Sequence, residues 1–298
     1  GLLDLKEVIT YWSKDSSTIR SIGYFNGMSF SGLGQRIGIW KFYNENGNIE
    51  EISNFYMGKK HGRTIEYYPN GKVKLEAYLF LGVPDSIFKA YYPNGNLAEK
   101  GSYAGIPFTF LNDSANYMDW QLKVDHFKQQ KIGVWNYYYE NGIPYETTEF
   151  KEADTIEYII AHYNKEGKAE VENGSGIIND FFQSGKPKKL MSYKNGLPNG
   201  EFKTWNANGS VNTIGNYSSG LKDGQWTEKY FITDQVYQIR NYKSGIKDGL
   251  FAEYLSNGTK VIEGANENGK KNGKWEYYYE SGAKDMIGSF ENDLQDGL

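Results

Sequence analysis

The sequence predicts an all-β protein: an elongated, single-layer antiparallel meander of about ten stacked β-hairpin repeats, twisted or curled along its path. Three observations carry that expectation. A glycine-opened motif recurs about every 24 residues, at Gly38, Gly62, Gly133, Gly176, Gly200, Gly224, Gly249, Gly273 and Gly297; from Gly176 on the intervals are 24, 24, 25, 24 and 24 residues. In most copies a second glycine follows nine residues after the first, as Gly47 follows Gly38 and Gly258 follows Gly249. Aromatic residues make up 16% of the 298 residues, beside 35 glycines, which suits short strands packed by rings and punctuated by turns.

Residues 62–83 show how one unit is built. The stretch 64–68 is β-branched and aromatic, and 72–79 alternates polar with apolar, both strand signals. Pro69-Asn70-Gly71 lies between them. Proline cannot donate to a ladder, so a type I turn with Pro69 at its second position and Gly71 in the left-handed region fits best. Pro93-Asn94-Gly95 repeats the arrangement. A second connection reads G-K-K-H-G from Gly58, G-L-K-D-G from Gly220, G-I-K-D-G from Gly245 and G-K-K-N-G from Gly269; its spacing suits a turn joining one hairpin to the next. Trp275, Tyr277 and Tyr279 alternate along the first strand of their unit and so share a face, as do Trp40 with Phe42, and Trp135 with Tyr137. Adjacent strands twist by about 20–25°, so a long ribbon must coil.

The recurring core G-x-W-x-x-Y-Y-x-x-G, followed by Y-x-x-G-x-x-[HDN]-G, resembles the MORN repeat in the variant found in many bacterial proteins. The runs 242–249 and 217–224 carry the resemblance well, and it covers about residues 32–298. Bacterial proteins of this type are often described as antitoxin-like, the neutralising half of a toxin–antitoxin pair; others in the family are implied in scaffolding and phospholipid binding. The resemblance supplies no catalytic residues.

The units divide the chain as follows. Residues 1–31 read as an eroded N-terminal hairpin or cap, 32–105 as MORN-like repeats, and 106–131 as an irregular insertion or degenerate repeat. Residues 132–172 hold a repeat plus a degenerate repeat around Gly167, and 173–298 hold further repeats ending mid-unit. In the unit at Gly224, Thr233-Asp234 stands where the second glycine is expected.

The chemistry-bearing residues do not converge. With no cysteine, disulfides and thiolate metal sites are excluded. His61, His126 and His162 have no companion at ligand spacing; His61 sits where other copies have Asp or Asn and is expected to serve the turn. Asp223, Asp248 and Asp296 recur with the repeat, which indicates architecture. No nucleophile triad, P-loop or dinucleotide fingerprint occurs, so neither an enzyme nor a cofactor is expected. A net charge of −4 with both signs interspersed excludes a dedicated nucleic-acid binder. No stretch approaches 18 apolar residues, so no membrane-spanning helix is expected.

The expected function is therefore non-catalytic recognition of another macromolecule, a protein first, in which the chain serves as scaffold or as the neutralising partner of a toxin. Two surfaces are candidates. One is the aromatic-rich irregular segment with Phe108, Phe110, Tyr117 and Trp120. The other is a basic ladder of turn lysines, Lys59, Lys60, Lys222, Lys247, Lys270 and Lys271, which would meet anionic phospholipid head groups. Exposed aromatics would alternatively meet a glycan. The compartment expected is the bacterial envelope or the exterior if a leader precedes Gly1, and otherwise the cytoplasm.

Overall fold

The computed structural model describes residues 5–13, 17–27, 34–105, 130–151 and 156–296, and every regular element in them is a β-strand. The chain divides into two compact units, Gly1–Glu157 with Tyr163–Lys168, and Tyr158–His162 with Ala169–Leu298. The first holds β1 (Leu5–Tyr11), β2 (Ile19–Asn26), β3 (Gln35–Tyr43), β4 (Ile49–Tyr56), β5 (Lys59–Tyr67), β6 (Val73–Phe80), β7 (Val83–Tyr91), β8 (Leu97–Tyr103), β9 (Lys131–Tyr138) and β10 (Pro144–Phe150). After β11 (Glu157–Tyr163), the second holds β12 (Ala169–Glu172), β13 (Ser175–Phe181), β14 (Pro187–Lys194), β15 (Leu197–Trp205), β16 (Val211–Ser218), β17 (Leu221–Lys229), β18 (Val236–Lys243), β19 (Ile246–Tyr254), β20 (Lys260–Glu267), β21 (Lys270–Tyr278), β22 (Lys284–Glu291) and the short β23 (Leu294–Gln295). Within each unit the ladders join sequence neighbours, all antiparallel, from β1 through β10 and from β12 through β23. The all-β meander of hairpins is thus the observed architecture.

The period has a simple origin. In a regular unit a nine-residue strand and an eight-residue strand, such as β5 and β6, are joined by a five-residue connection, and a two-residue turn leads on. The 25-residue interval after Gly224 arises in the connection between β17 and β18, which is one residue longer. The Pro69-Asn70-Gly71 turn is as expected: the Gly71 N–H donates to the Tyr68 carbonyl at 2.9 Å, with Gly71 at φ +79°. In the longer connection, Asp234 (φ 57°) adopts the left-handed backbone that glycine supplies elsewhere, as aspartate tolerates.

The second connection differs from the sequence expectation. Its turn is only two residues long, with both in the left-handed region: Met57-Gly58 (φ 48° and 83°), Ser244-Gly245 (48° and 82°) and Asn268-Gly269 (51° and 88°). That is the type I′ turn, whose twist matches that of the flanking strands. The residues after it already belong to a strand, so Lys59, Lys60, Lys222, Lys247, Lys270 and Lys271 are strand residues, not turn residues. The second glycine of each motif, Gly62, Gly224, Gly249 or Gly273, lies inside the strand with positive φ. Opposite it the register shifts, as between Ser53 and Phe55 or Glu263 and Ala265. It is a bulge glycine.

The core is a row of side chains across the middle of the strands on one face. In the first unit, Trp40 pairs with Ser53, Ser53 with Thr64, Thr64 with Ala77, Ala77 with Phe88 and Phe88 with Gly101. Trp40, Ser53, Thr64 and Ala77 are buried, as are Trp135 and Thr148 farther along. In the second unit the row runs Ile178–Met191–Phe202–Gly215 and then Trp226–Arg240–Phe251–Gly264. We call this the inner face.

Candidate functional site

The inner face is organised by one repeated contact. Each of four tryptophans lies flat against a glycine of the preceding strand: Trp40 on Gly23, Trp135 on Gly101, Trp226 on Gly215, Trp275 on Gly264. A Cβ built on any of these glycines would stand 2.1–2.3 Å from the indole. Each indole N–H donates to the carbonyl of the residue after that glycine, Tyr24, Ser102, Asn216 or Ala265, at 3.1–3.2 Å. The aromatic two residues after the glycine meets the indole edge-on: Phe25, Tyr103 and Tyr217 each at 5.1 Å. This geometry favours aromatic pairs beyond their buried area. Where the preceding strand carries Ser53 or Ala77 in place of glycine, the next strand carries the smaller Thr64 or Phe88.

A cation four residues before each tryptophan covers its ring. Arg36 stands 5.0 Å from the Trp40 centroid, Lys131 4.0 Å from Trp135, Lys222 4.0 Å from Trp226 and Lys271 4.4 Å from Trp275. Burial works against the Lys131 ammonium, but the Tyr137 hydroxyl at 2.9 Å and the charge of Glu99 leave its pKa raised overall. The lysine ladder therefore splits in two. Lys222 and Lys271 turn inward onto rings, and Lys60 turns inward to Glu51 at 2.8 Å. Lys247 and Lys270 are exposed, and Lys59, in strand β5, is half-buried. Alternation sets Lys59 and Lys270 apart from Lys60, Lys222, Lys247 and Lys271, which all stand two residues before their bulge glycine; Lys247 is exposed although it shares that position. The other sequence candidate, Phe108, Phe110, Tyr117 and Trp120, lies outside the described residues, as does His126.

The recurrent aspartates have structural partners. Asp223 accepts the Ser244 N–H at 3.2 Å, and Asp248 accepts the Asn268 N–H at 3.3 Å, so each holds the next type I′ turn. His61 sits in β5 between the rings of Tyr56 and Phe80, at 5.6 and 5.0 Å. At the opposite strand ends, tyrosine hydroxyls tie successive connections: Tyr68 donates to the Tyr91 carbonyl, Tyr92 to Tyr138, Tyr139 to Tyr163 and Tyr230 to Tyr254. Tyr279 holds the equivalent position and is 55% exposed, although alternation from Trp275 and Tyr277 places it on the packed face. Tyr68, Tyr92, Tyr139 and Tyr230 also stand one residue past their strand ends, but each donates to a carbonyl of the following connection, and among the described residues no such connection follows that of Tyr279.

Two further clusters bear on chemistry. His162 is buried, with Nδ1 3.2 Å from Glu170, and burial pulls its pKa below the ordinary value against the opposing charges of Glu170 and Asp180. A groove of about 470 Å³ is lined by Trp12, Phe42, Tyr43 and Tyr67 with Glu50, Glu51 and Glu66. Its charges are largely answered internally: Lys60 bridges Glu51, Lys74 bridges Glu66 at 3.0 Å, and Arg20 stands over the Trp12 ring. Among the described residues no group of three or more His, Asp or Glu is placed to hold a metal ion.

The outer face carries exposed aliphatic side chains in both units, with Ile177 (46%) and Leu250 (38%) of the second at the positions that Ile39 and Ile87 hold in the first. In the first unit Ile39 (61%), Ile87 (53%) and Val134 (52%) are solvent exposed. In the second, Glu263 and Glu276 face each other across β20 and β21, and lysines answer the repulsion that such a pair produces. Lys274, with Tyr278 and Lys284, holds the Glu276 carboxyl down at about 2, and Lys260 bridges Glu263 at 2.7 Å.

The family model described as "MORN repeat variant" matches residues 36–55, 60–79, 84–104, 131–152 and 271–292. These segments are the hairpins β3–β4, β5–β6, β7–β8, β9–β10 and β21–β22. Four of the five begin on an inward cation, Arg36, Lys60, Lys131 or Lys271. No curated protein matches the chain. Solved structures of TcdB2-TccC3 and TcdB2-TccC3-Cdc42 match 98% of this chain at 11% and 10% identity, with TM-scores of 0.21 and 0.18. The chain spans only 17% and 16% of those chains, and TM-scores of that size establish no kinship of fold or function.

Proposed function

We infer, since this chain carries repeats of the MORN repeat variant family, that it is a non-catalytic recognition scaffold whose ligand is another protein. The observation that supports this is the exposed apolar outer face of the first unit, with Ile39, Ile87 and Val134 each more than half accessible. Ile52 and Ile65 adjoin Ile39 across a groove, and exposed apolar surface of this kind marks interaction sites. The recurrent charges, by contrast, have architectural work, with cations on rings and aspartates on turns. The aromatic segment with Phe108, Phe110, Tyr117 and Trp120 is proposed as a second part of the protein-binding surface. In its most specific form the reading makes the chain the neutralising partner of a toxin.

The alternative, contact with anionic lipid through the lysine ladder, is weakened by the inward turn of Lys60, Lys222 and Lys271, which leaves Lys247 and Lys270 as its exposed members. Affinity capture from host extract with the immobilised chain, followed by measurement with the purified partner, tests the protein reading. A stoichiometric complex is expected, lost in Phe108→Ala/Trp120→Ala if that segment takes part. Binding only to vesicles, abolished by moderate salt, would sink it.

A further inference from the structure

The outer face of the first unit has a definite composition as well as exposure. One registered row crosses seven ladders: Ile9–Ile22–Lys41–Ile52–Ile65–Glu76–Lys89–Lys100. The flanking row places Ile39 opposite Asn54, Arg63 opposite Tyr78 and Ile87 opposite Ser102. A groove of about 380 Å³ lies between the two rows, lined by Ile39, Ile52, Asn54, Arg63 and Ile65. It has aliphatic walls and one guanidinium at its lip, whose side chain is 58% exposed.

The charge on these central outer positions is one-sided. From β3 to β8 the cations are Lys41, Arg63, Lys89 and Lys100, and the one carboxylate among these positions is Glu76. Glu76 is shared by Arg63 at 3.5 Å and Lys89 at 4.0 Å. Lys41 and Lys100 are exposed. The whole chain, in contrast, is net −4. A basic face carrying aliphatic side chains on an acidic protein is therefore a local feature, and charge complementarity selects its partner. Strands lie about 4.8 Å apart, so Lys41 to Lys100 spans roughly 24 Å. An α-helix of about 16 residues covers that distance.

We propose that this face of the first unit docks an acidic amphipathic segment of a partner protein. One aliphatic side chain of the segment enters the groove between Ile39, Ile52 and Ile65. Its carboxylates meet Arg63 beside the groove and Lys41, Lys89 and Lys100 along the row. The inference rests on the protein-recognition reading and names the surface and the chemistry of the partner.

The test uses the full chain and a labelled peptide of about 16 residues with Leu at helical spacing and Glu elsewhere. Binding is read by fluorescence anisotropy. The peptide is expected to bind, with at least about tenfold loss on Lys41→Glu/Lys89→Glu and a similar loss on Ile65→Asp. Lys203→Glu, in the second unit, is expected to leave binding unchanged. All substituted positions except Ile65 carry charged surface side chains, and circular dichroism checks each variant's fold; should Ile65→Asp unfold, Ile39→Asp takes its place.

Equal binding of polyglutamate, or undiminished binding after the charge reversals, overturns the proposal. So does binding confined to vesicles of phosphatidylserine and phosphatidylcholine. Concentration-dependent dimerisation abolished by the same variants would assign the face to a second copy and likewise overturn it. A protein partner that still binds the triple variant Lys41→Glu/Lys89→Glu/Ile65→Asp overturns this inference while leaving the recognition reading intact.

Discussion

At the scale of single residues, the fold turns on the fit between an indole and the glycine beneath it. Gly215 has an ordinary negative φ, so its role is space, not backbone freedom: a Cβ there would stand 2.3 Å from Trp226. The indole cannot easily retreat, because its N–H is bonded to the Asn216 carbonyl and the Phe202 and Tyr217 rings flank it. Gly215→Ala should therefore cost about 1–3 kcal/mol through overpacking, seen as faster amide exchange in β16 and β17. Gly288→Ala is the matched control, since its Cβ would meet only the edge of Phe290 at 3.0 Å; its effect should be clearly smaller. The tryptophans were legible in the sequence as packed-face residues because they alternate with other rings. Their glycine partners were not, because Gly23, Gly101, Gly215 and Gly264 fall outside the motif glycines that mark turns. The signal was present as G-x-[YF] in the second strand, at Gly23, Gly101 and Gly215, but recognising it requires knowing the register.

At the scale of elements, the hairpins were legible from alternation and the type I turns from Pro-Asn-Gly, both local properties of the chain. The second connection was misplaced for a physical reason. Two glycines close together, as Gly58 and Gly62, look like the ends of one loop, but the first closes a two-residue turn and the second relieves a strand through a bulge. Only the pairing partner across the ladder separates these roles. The same error assigned six lysines to one edge when alternation sends Lys60, Lys222 and Lys271 to the inner face.

The β11–β14 region carries the clearest pH dependence. His162 faces Glu170 from β12, with Asp180 of β13 and Lys189 of β14 also acting on it. Burial lowers its folded pKa below the ordinary imidazole value of 6.5. The unfolded state then binds more protons, so stability present above pH 6.5 is lost as pH falls through the folded pKa. Amide exchange in β12 and β13 should therefore quicken between pH 7.5 and pH 5 after correction for intrinsic rates. His162→Gln should flatten that dependence, and an unchanged profile would refute the assignment to His162.

At the scale of the whole molecule, the ladders within each unit join only sequence neighbours, so stability should behave as a sum of local terms with nearest-neighbour interfaces. The 24-residue period already points to sequential pairing, because periodicity encodes stacking without needing the register. Trp275→Ala is the informative perturbation. The indole is 2% exposed, packed on Gly264 and Phe251 and covered by Lys271, so its removal should cost about 3–5 kcal/mol locally. Lys274→Ala on the opposite face should cost under about 0.5 kcal/mol, since its ion pair with Glu276 is exposed and Lys284 still bridges that carboxylate. If contacts propagate only between neighbours, Trp275→Ala should raise hydrogen exchange in β20, β21 and β22 and leave β3 and β4, around Trp40, at their original rates. A globally cooperative sheet would instead raise both regions together, and that result would show that the repeats share one folding unit despite their sequential pairing.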